Sequence, residues 1–383
     1  MKYRLKDIFD LQMGKTPSRS NPDYWNTKDN KWISIADLTK TEKYILDTKE
    51  YLSDVAIKES GIKIIPDNTV VMSFKLSIGK TAITKEQMYS NEAIMAFHDK
   101  HIVDILPEYI FYLFKYRNWD EDSNKAVKGK TLNKATLSEI EVEICAIEKQ
   151  REIVAVLDKM TFLLESRKTE IELLDDLVRA RFVEMFGHQS HNEKGLPYLT
   201  IDDVAEIYLG ITHTPTYVNQ GVMFISAKNT SGDFLDLSDV KYISREEFEK
   251  APKGSKPQVN DILFSRVGSN LGHPVILEED LELCTFVSLG FLRTKGKVTS
   301  NYLKHWMRDD FFSNQVKEHV KGGGQPNLNT GWLKEFKIIV PNIELQKVFD
   351  KFCRQVDKSK DAVQKALDET QLLFDSLMQE YFG

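Results

Sequence analysis

The sequence predicts an α+β protein in which two similar α/β domains are separated by an antiparallel pair of long coiled-coil helices, in a pseudo-two-fold, cyclic arrangement. Three observations predict this fold. The chain matches itself at a shift of 196 residues, each half ends in 41 residues with helical apolar spacing, and the rest of each half carries short β-type runs between turn residues. A chain of 383 residues also suits two domains of roughly 150 residues plus additional helix.

The internal repeat aligns the two halves without a gap near both ends of their globular parts. At the 196-residue shift Gly14 meets Gly210, and Asn133 meets Asn329. Between these positions the register drifts by a few residues, as loops of different length would cause. We therefore expect two halves with a common core and different loops.

The repeat and the helical spacing together set the predicted domain boundaries. They are residues 1–146 for the first globular domain, 147–187 for the first long helix, 188–195 for a linker, 196–342 for the second globular domain and 343–383 for the second long helix. The linker contains His188 and His191 but no further ligands at zinc spacing, so we expect these to be solvated loop residues.

Both predicted long helices open with Ile-Glu-x-Gln, close with Phe-Gly and contain neither Pro nor Gly before that final Gly. Their apolar residues step by alternating threes and fours, which is the spacing of a coiled-coil seam. In the first helix the seam positions are Ile153, Leu157, Met160, Leu164, Ile171, Leu174 and Val178. In the second helix they are Phe349, Val356, Val363, Leu367, Phe374 and Leu377.

A long helix with a single apolar seam is unstable alone, and its duplicate in the same chain is the simplest partner. Two equivalent halves are most simply related by a pseudo-two-fold axis, which makes the helices antiparallel. Arg167 and Arg181 occupy seam positions that Val363 and Leu377 fill in the second helix. A long Arg stem can lie along such a seam with its head in water. The alternative is a helical hairpin that only buries surface.

The globular parts have the pattern of an α+β fold. Their β-type runs are "WISIA", "TVVMSF", "VMFIS" and "DILFSR", and turn residues separate them. One helix is predicted in each half, at residues 108–119 and 301–312. Cys145, Cys284 and Cys353 are odd in number and far apart, so the sequence encodes neither a disulfide framework nor a zinc knuckle, and we expect packed thiols.

Stretches that imitate catalytic motifs lack essential residues. Residues 14–16, Gly-Lys-Thr, end like a phosphate loop, but Phe9 stands where that loop needs a Gly. Residues 21–24 nearly spell the Asn-Pro-Pro-Tyr motif of amino-methyltransferases, but Asp23 replaces the second Pro. A nuclease-like Glu-x-Lys at 335–337 falls in a predicted closing strand. We therefore predict no catalytic residue, no metal site and no cofactor in this chain.

Polar loops with small and basic residues suit contact with nucleic acid instead. Lys and Arg neutralise phosphates, Gly allows close backbone approach, and Asn and Gln amides pair with base edges. The candidates in the first domain are Lys15, Thr16, Ser18, Arg19, Ser20, Lys75, Lys80, Lys128, Lys130 and Asn133. Those in the second are Thr212, His213, Thr214, Arg266, Ser269, Asn270, Lys321, Gln325, Asn327 and Asn329. A structural turn is the alternative at each loop.

The net charge of −6 argues at first against a nucleic-acid partner, since phosphate contacts are made by Lys and Arg. Residues 147–187 carry 7 basic and 9 acidic residues, and residues 343–383 carry 6 and 8, so the helices account for −4 of the −6. The globular parts are near neutral and can hold local positive loops. No apolar run approaches the ~18–20 residues of a membrane span, and no signal peptide is present, so we expect no membrane association and a cytoplasmic location.

Together these features resemble the specificity subunit of type I restriction-modification enzymes. The resemblance rests on the helical repeats ending "RFVEMFG" and "LMQEYFG", the "GKTPSRSNPDYW" loop, the "DILFSRVGS" run and the "GGGQPNLN" loop. It implies two target-recognition domains that each read one half of a split DNA sequence, and paired helices that set the spacer and dock two modification subunits. One departure is "KGKTLNKAT" in the first half, which stands in place of a Gly-Gly-Gln-type loop.

The resemblance also implies that the chemistry belongs to partner subunits. Methyl transfer and ATP-driven cleavage are expected there, together with S-adenosylmethionine, ATP and Mg. The expected partners are double-stranded DNA, modification (methyltransferase) subunits and, in a complete system, restriction subunits. Three alternatives stay open: a coiled-coil adaptor without DNA specificity, an orphan specificity subunit of a methyltransferase-only system, and a self-contained modification enzyme. The last would need an adenosylmethionine-binding motif, which we do not find in the sequence.

Overall fold

A computed structural model describes residues 1–25, 27–75, 77–119, 132–268, 270–320 and 326–383 of the chain. The chain forms two compact units. Unit 1 consists of Met1–Lys168 and Ala366–Gly383, and unit 2 consists of Thr169–Lys365. Each unit therefore contains one globular part and a segment of each long helix.

Unit 1 contains ten strands among its described residues. They are β1 Lys2–Arg4, β2 Phe9–Met13, β3 Asn30–Ile33, β4 Tyr44–Ile45, β5 Glu50–Leu52, β6 Val70–Ser73, β7 Thr81–Thr84, β8 Tyr89–Ser90, β9 Ile94–Asp99 and β10 Glu141–Glu143. Its helices are α1 Leu5–Ile8, α2 Ile35–Lys40, α3 Asp54–Ser60, α4 Pro107–Tyr116, α5 Lys134–Ser138 and the start of the first long helix, α6 Ile147–Phe186. Among the described residues of this unit, one 3₁₀ turn covers Pro22–Tyr24.

The strands of unit 1 form a five-stranded sheet of order β2-β9-β6-β7-β4, a three-stranded sheet of order β5-β3-β8 and the ladder β1-β10. Helix α4 buries a continuous run, Tyr109 to Phe114, against the larger sheet. This apolar run explains why the segment is helical and where the core of the unit lies.

Unit 2 contains ten strands among its described residues. They are β11 Tyr198–Thr200, β12 Ala205–Leu209, β13 Tyr217–Val218, β14 Val222–Ile225, β15 Lys241–Ile243, β16 Ile262–Ser265, β17 Pro274–Ile276, β18 Leu283–Thr285, β19 Leu289–Thr294 and β20 Lys337–Ile339. Its helices are α7 Ile201–Val204, α8 Arg245–Lys250, α9 Ser300–Met307, α10 Asp310–His319, α11 Thr330–Glu335 and the start of the second long helix, α12 Ile343–Phe382. Two 3₁₀ turns cover Ala227–Thr230 and Lys253–Ser255.

The two units have the same topology. The sheet β12-β19-β16-β17 of unit 2 matches β2-β9-β6-β7 of unit 1, and the order β15-β14-β18 matches β5-β3-β8. Among the described residues, β4 extends the larger sheet only in unit 1, and β13 extends the smaller sheet only in unit 2. The prediction of two similar α+β domains with a common core is confirmed.

The long helices α6 and α12 are each 40 residues long and pair within each unit. In unit 1, Ile153 and Leu157 near the start of α6 share a core with Met378 near the end of α12. In unit 2, Val178 near the end of α6 shares a core with Phe349 near the start of α12. Because the start of one helix meets the end of the other, they are antiparallel in both units, as predicted.

The predicted seam residues differ in burial. Seven are buried: Ile153, Leu157, Met160, Leu164, Val178, Phe349 and Val356. Six are partly exposed: Ile171, Leu174, Val363, Leu367, Phe374 and Leu377. Three of the partly exposed residues, Leu174, Phe374 and Leu377, still pack against the core of their unit.

Arg167 and Arg181, the two arginines at seam positions, both contact other residues of the protein. Arg167 donates a hydrogen bond from Nη1 to the backbone oxygen of Ala366 on α12. Arg181 pairs with Glu184 at 2.7 Å and lies over the ring of Phe352 at 5.8 Å. Arg167 therefore bridges to the opposite helix, whereas Arg181 pairs along its own helix and lies over a ring of the opposite one.

Two sequence predictions about the smaller helices need correction. The single helix predicted at residues 301–312 is wrong, because the segment contains α9 and the start of α10. Asp309 separates them, since its side chain accepts the N–H of Phe311 at 2.8 Å and caps the new helix. In unit 1 helix α4 ends at Tyr116 rather than at residue 119, and Trp119 donates its indole N–H to the Phe114 oxygen at 2.8 Å.

The three cysteines are free thiols. Cys284 and Cys353 are buried and Cys145 is partly exposed. Burial raises the pKa of Cys353 to about 12 and also raises the pKa of Cys284, so neither buried thiol is poised to act as a nucleophile.

Candidate nucleic-acid interface

In each unit two loops leave the larger sheet at the same end. In unit 1, Met13 at the end of β2 and Met72 near the end of β6 both pair with Met95 of β9. In unit 2, Leu209 and Phe264 both pair with Gly290 of β19. The chain segments that follow these strands therefore emerge side by side. We call this edge the loop end of each unit.

Two segments form the loop end of unit 1, and three form that of unit 2. Those of unit 1 are the Gly14 loop (residues 14–29, described except 26) and the hairpin loop between β6 and β7 (74–80, described except 76). Those of unit 2 are the Gly210 loop (residues 210–216), the hairpin loop between β16 and β17 (266–273) and the segment before α11, described at 326–329.

The equivalent glycines Gly14 and Gly210 fix where the first loop begins. A Cβ on Gly14 would lie 2.2 Å from the Ser90 oxygen, and one on Gly210 would lie 2.3 Å from the Phe286 oxygen. Real Cβ atoms do not approach backbone that closely, so each position requires glycine. The match at the 196-residue shift thus reflects the same close contact with the smaller sheet in both units.

Two tryptophans hold the Gly14 loop in place. The Trp32 indole N–H donates to the Lys15 oxygen at 3.1 Å, and the Trp25 indole N–H donates to the Ser18 oxygen at 3.0 Å. The two rings contact each other edge to face at 5.0 Å. The polar side chains of this loop therefore project from a fixed backbone.

Arg19 is the most constrained cation of the Gly14 loop. Its guanidinium lies 3.8 Å from the ring centroid of Trp25 and 4.9 Å from that of Trp32. Glu50 binds the other side of the guanidinium with two hydrogen bonds, one of them 3.1 Å long. Stacking and a bidentate carboxylate together fix the plane of the guanidinium.

The Thr16 side chain links the Gly14 loop to Glu92. The Thr16 hydroxyl donates to the Glu92 carboxylate, and this hydrogen bond is the main cause that lowers the pKa of Glu92, with smaller contributions from the charges of Lys75 and Arg19. An anion that entered this site would compete with Glu92 for the Thr16 hydroxyl.

The remaining candidates of the Gly14 and hairpin loops are exposed. Lys15 donates from Nζ to the Ser60 oxygen at 2.5 Å. The hydroxyls of Ser18 and Ser20 lie 2.8 Å apart. Lys80 is exposed, and its backbone N–H donates to the Ser73 hydroxyl at 3.1 Å.

In unit 2 the Gly210 loop presents Thr212, His213 and Thr214 to solvent. His213 contacts Glu247 of α8 through Nε2 at 3.1 Å. The loop is shorter than its counterpart, and polar groups of a different kind occupy it. The two loop ends therefore share a backbone plan and differ in side chains.

Arg266 connects two segments of the loop end in unit 2. Its guanidinium donates to the Leu328 oxygen at 3.3 Å and to the Val287 oxygen at 3.0 Å. Burial lowers its pKa, and among the described residues no carboxylate lies within ion-pair distance of it. The backbone reinforces this connection, since Val267 forms a β-bridge with Asn327. Arg266 thus holds the hairpin loop against the segment before α11.

Asn133 and Asn329 occupy equivalent helix caps. The Asn133 side chain accepts the N–H of Thr136 at 2.9 Å at the start of α5, and Asn329 accepts the N–H of Gly331 at 2.7 Å at the start of α11. Their side-chain oxygens are therefore engaged within the fold. Asn270 is exposed, and its backbone oxygen accepts the hydroxyl of Ser265.

Five candidates lie outside the described residues. They are Lys128, Lys130, Ser269, Lys321 and Gln325. Sequence reasoning in turn missed the acidic partners Glu50 and Glu92. They lie far along the chain from Arg19 and Thr16, and no local pattern connects them.

Within the described part of the chain, no group of three or more His, Cys, Asp or Glu is arranged to hold a metal ion. The search for membrane spans over the same residues found no helix with the length and apolar character to cross a bilayer.

Comparison with known proteins places the chain in a family. The profile of the family described as "Type I restriction modification DNA specificity domain" matches residues 1–174 and 193–370. The chain belongs to this family. Each of the two matches contains one loop end, so this specificity-family chain carries two copies of the domain.

Curated relatives agree over most of the length. The MjaIX specificity subunit of a type I restriction enzyme from Methanocaldococcus jannaschii is 30% identical over 363 residues, which cover 88% of this chain and 82% of that protein. The MjaVIII specificity subunit from the same organism is 19% identical over 349 residues, covering 83% and 81%.

Solved structures show that the fold is shared. The S subunit of a type I restriction-modification system from M. genitalium has a TM-score of 0.59 at 14% identity and covers 100% of this chain and 96% of its own. A chain from a structural study of complex assembly in the type I R-M system has a TM-score of 0.61 at 17% identity, covering 100% and 97%.

Proposed function

We propose that this specificity-family chain reads a bipartite DNA sequence, with each loop end contacting one half of the target. The observation that carries the proposal is the pair of loop ends, which share a backbone plan and differ in their polar side chains. A duplicated module with divergent contact loops suits recognition of two different half-sites in one duplex.

The side chains of the first loop end have distinct roles in this proposal. Lys15 and Lys75 are cations for backbone phosphates, and Arg19 holds its guanidinium in a fixed plane that suits bidentate pairing with a guanine edge. Ser18 and Ser20 supply hydroxyls for phosphate oxygens. Lys128 and Lys130 add two further positive charges in the segment that precedes Asn133 in the sequence.

In the second loop end, Thr212, His213 and Thr214 supply direct contacts, together with Asn270 and Asn327. Arg266 and the caps Asn133 and Asn329 act on the position of the loops rather than on DNA. Lys321, Gln325 and Ser269 are proposed as further DNA contacts from their place in the sequence. The chain is thus a reader whose residues bind and orient DNA.

The long helices dock two modification subunits in this proposal. Large apolar side chains are exposed on the helices in both units. Those of unit 1 are Val156, Phe162, Leu372 and Leu373, and those of unit 2 are Leu173, Leu177, Leu345 and Val348. Such residues on a surface mark protein contacts. Each unit carries its own set of exposed apolar helix residues, which supports one modification subunit per unit. Methyl transfer, and cleavage where a restriction subunit is present, belong to the partners with their S-adenosylmethionine, ATP and Mg.

The test is genome-wide mapping of adenine methylation with and without this gene. We expect one split motif to lose its methylation when the gene is deleted, and complementation to restore it. Unchanged methylation would contradict the proposal. A change of motif after exchange of one globular part would assign each loop end to its half-site.

Salt dependence separates a DNA reader from a coiled-coil adaptor. We expect weak DNA binding by the chain alone and tight binding with modification subunits, with the logarithm of affinity falling linearly as the logarithm of salt concentration rises. An adaptor would bind modification subunits without adding sequence preference or salt-dependent affinity. Fluorescence anisotropy on a labelled duplex measures the affinity and its dependence on salt concentration.

A further inference from the structure

Arg19 of the Gly14 loop lies against the smaller sheet of unit 1. Trp32 of β3 and Glu50 of β5 are directly opposite each other in that sheet. Opposite residues of an antiparallel pair project from the same face, so the Trp32 ring and the Glu50 carboxylate are neighbours. The Arg19 guanidinium contacts both, at 4.9 Å from the Trp32 ring centroid and through two hydrogen bonds to Glu50. Glu50 therefore reaches Arg19 from a strand rather than from a loop.

The buried hydroxyl of Thr48 fixes the backbone at Glu50. It donates to the Glu50 oxygen at 2.8 Å and accepts the Trp32 N–H at 3.2 Å. The strand that carries the carboxylate is thus tied to the strand that carries Trp32 by this hydroxyl as well as by the ladder. The fold therefore sets the position of the Glu50 carboxylate independently of Arg19.

Glu50 uses only part of the hydrogen-bonding capacity of Arg19. A guanidinium has five N–H groups in one plane. The carboxylate binds Nη1 and Nη2, at the end of the group. The Nε–H and the outer N–H of Nη2 point together along one side of the plane, and among the described residues no group accepts a hydrogen bond from Nε. One edge of Arg19 with two donors is therefore free.

Arg293 of β19 shows what such an edge binds when a partner is present. Its Nε and Nη2 donate to the two carboxylate oxygens of the buried Asp261 at 3.0 and 2.7 Å. In Arg293 the edge is filled within the fold, whereas in Arg19 the same edge is open on a side chain that is 51% exposed. The edge of Arg19 is thus available to a ligand with two neighbouring acceptors.

We propose that Glu50 is a positioning residue that orients this edge of Arg19 toward a guanine of the target. Guanine O6 and N7 are neighbouring acceptors in the major groove, and a bidentate arginine is a common specific partner for them. The inference rests on the proposed function, because it needs the first loop end to contact DNA. It goes beyond that function by naming the residue on which the base preference of Arg19 depends.

A carboxylate beside a DNA-binding arginine could instead mask it. A masking carboxylate lowers the affinity for every duplex, so its removal strengthens binding of target and unrelated duplexes alike. A positioning carboxylate favours one base, so its removal weakens binding of the target duplex and reduces the difference between duplexes. Two hydrogen bonds and the ring of Trp25 at 3.8 Å fix the plane of the guanidinium, which is the arrangement that positioning requires.

The experiment compares Glu50→Gln with Glu86→Gln in the complex of the full chain with modification subunits. Glu86 is the matched control, because it is an exposed carboxylate of the same unit that binds Lys31 of β3. The probes are a labelled duplex with the split motif found by methylation mapping and duplexes with one base pair of that motif changed. Anisotropy gives the affinity for each duplex.

We expect Glu50→Gln to reduce discrimination at one G·C pair by about tenfold, since a freed arginine loses rotamer entropy when it binds. Glu86→Gln should keep the discrimination of the parent. Stronger binding of all duplexes by Glu50→Gln would show masking and overturn the proposal. Unchanged discrimination in Glu50→Gln would overturn it as well.

A double-mutant cycle with Arg19→Ala tests whether Glu50 acts through Arg19. Once Arg19 is absent, adding Glu50→Gln should change the discrimination at the G·C pair no further. An equal effect of Glu50→Gln with and without Arg19 would overturn the positioning role.

Chemical modification of Arg19 tests its contact with Glu50 without DNA. Phenylglyoxal modifies accessible guanidinium groups, and mass spectrometry identifies the modified residues. Arg19 should react faster in Glu50→Gln than in the parent or in Glu86→Gln, while the exposed Arg4, bound to Glu139, serves as the internal reference. An unchanged rate at Arg19 would overturn the role of Glu50. A complex that binds all duplexes equally would contradict the proposed function and the guanine contact with it, whatever the modification rate.

Discussion

Arg19 is held in place before any ligand arrives. Trp25 stacks on one face of its guanidinium at 3.8 Å, and Glu50 binds it through two hydrogen bonds. A side chain that is fixed in advance loses less conformational entropy on binding. Glu50 also partly neutralises the charge of the guanidinium, which weakens its general attraction for phosphates. In our proposal the fixed plane of the guanidinium therefore serves a contact with one base edge.

We predict that Arg19→Ala weakens binding of the cognate duplex by about 1–3 kcal/mol, or roughly 5- to 150-fold, and relaxes base preference at one position. Arg4→Ala is the matched control, because Arg4 is also exposed and ion-paired, to Glu139, but precedes the opposite end of β2. Anisotropy with cognate and single-substituted duplexes measures the affinity and the base preference of each variant. Equal losses for Arg4→Ala and Arg19→Ala would refute the specific role.

His305 makes the stability of unit 2 depend on pH. Its ring lies 5.2 Å from that of Phe349, and burial, with smaller effects from Lys304, Arg308, Arg179 and Lys360, lowers its pKa well below 6.5. The native state therefore keeps the ring neutral, while the unfolded state binds a proton below its pKa of about 6.5. Stability rises with pH where the unfolded state binds more protons, so this contribution is lost as pH falls below about 6.5.

We predict that His305→Phe reduces the loss of stability between pH 7 and pH 5, by at most about 1.4 kcal/mol for each pH unit below 6.5. His191→Gln, a substitution at an exposed linker position, is the control and should keep the slope of the parent. Urea unfolding followed by circular dichroism at several pH values gives the slopes. An unchanged slope in His305→Phe would show that other groups cause the acid sensitivity.

At the scale of elements, the loop ends depend on glycines that admit the backbone of the smaller sheet. We predict that Gly14→Ala and Gly210→Ala each destabilise the chain by about 1–3 kcal/mol, as overpacking does, and displace the loop that follows. Gly232→Ala is the control, because a Cβ there meets nothing within 4 Å. Thermal unfolding and DNA affinity of the three variants test this. A Gly14→Ala protein with parental stability would mean that the contact with Ser90 relaxes freely.

The Ile-Glu-x-Gln that opens each long helix ends in a buried glutamine. Gln150 accepts the N–H of Leu106 at 2.9 Å and donates to the oxygens of Asp104 and Cys145, both at 2.9 Å. Gln346 makes the equivalent bonds in unit 2. Each glutamine therefore ties its long helix to the chain before α4 or α9.

We predict that Gln150→Ala and Gln346→Ala each cost about 2–4 kcal/mol of unfolding free energy, because every removed bond leaves a buried backbone group without a partner. Glu148→Ala, two residues earlier in the same motif and exposed, should change stability by less than about 0.5 kcal/mol. Urea unfolding of the three variants provides the comparison. A small cost for both glutamines would show that water replaces their bonds.

Long periodic elements could be predicted from the sequence, while long-range partners could not. In each half the apolar residues keep a spacing of threes and fours over 41 residues, and only a helix explains so long a pattern. Helices α6 and α12 were therefore predictable. The break between α9 and α10 was missed because a single capping residue, Asp309, interrupts an otherwise helical pattern. The roles of Glu50 and Glu92 depend on strand pairing, which brings distant segments together. Gln150 and Gln346 could be recognised as part of a repeated motif. Their burial and their hydrogen bonds to the chain before α4 and α9 could not be predicted.

At the scale of the whole molecule, duplication explains both the likeness and the differences of the two units. The same close backbone contacts recur at Gly14 and Gly210, and the same set of hydrogen bonds recurs at Gln150 and Gln346. What differs is the loops between the shared elements, since the Gly210 loop is shorter than the Gly14 loop. In unit 1, Lys2 and Gly383 line one cavity, so residues 2 and 383 lie close together.

We therefore predict that the chain tolerates circular permutation. The permutant starts at His188 and ends at Gly187, and a second copy of the segment 188–196, HQSHNEKGL, joins Gly383 to Met1. Its unfolding midpoint should stay within about 4 °C of the parent, which corresponds to about 1–2 kcal/mol for units of this size. A second permutant with a joint of nine Gly and Ser residues is the control for the sequence of the joint. Loss of the fold with both joints would contradict the cyclic arrangement, because a chain whose ends share one cavity should close without strain.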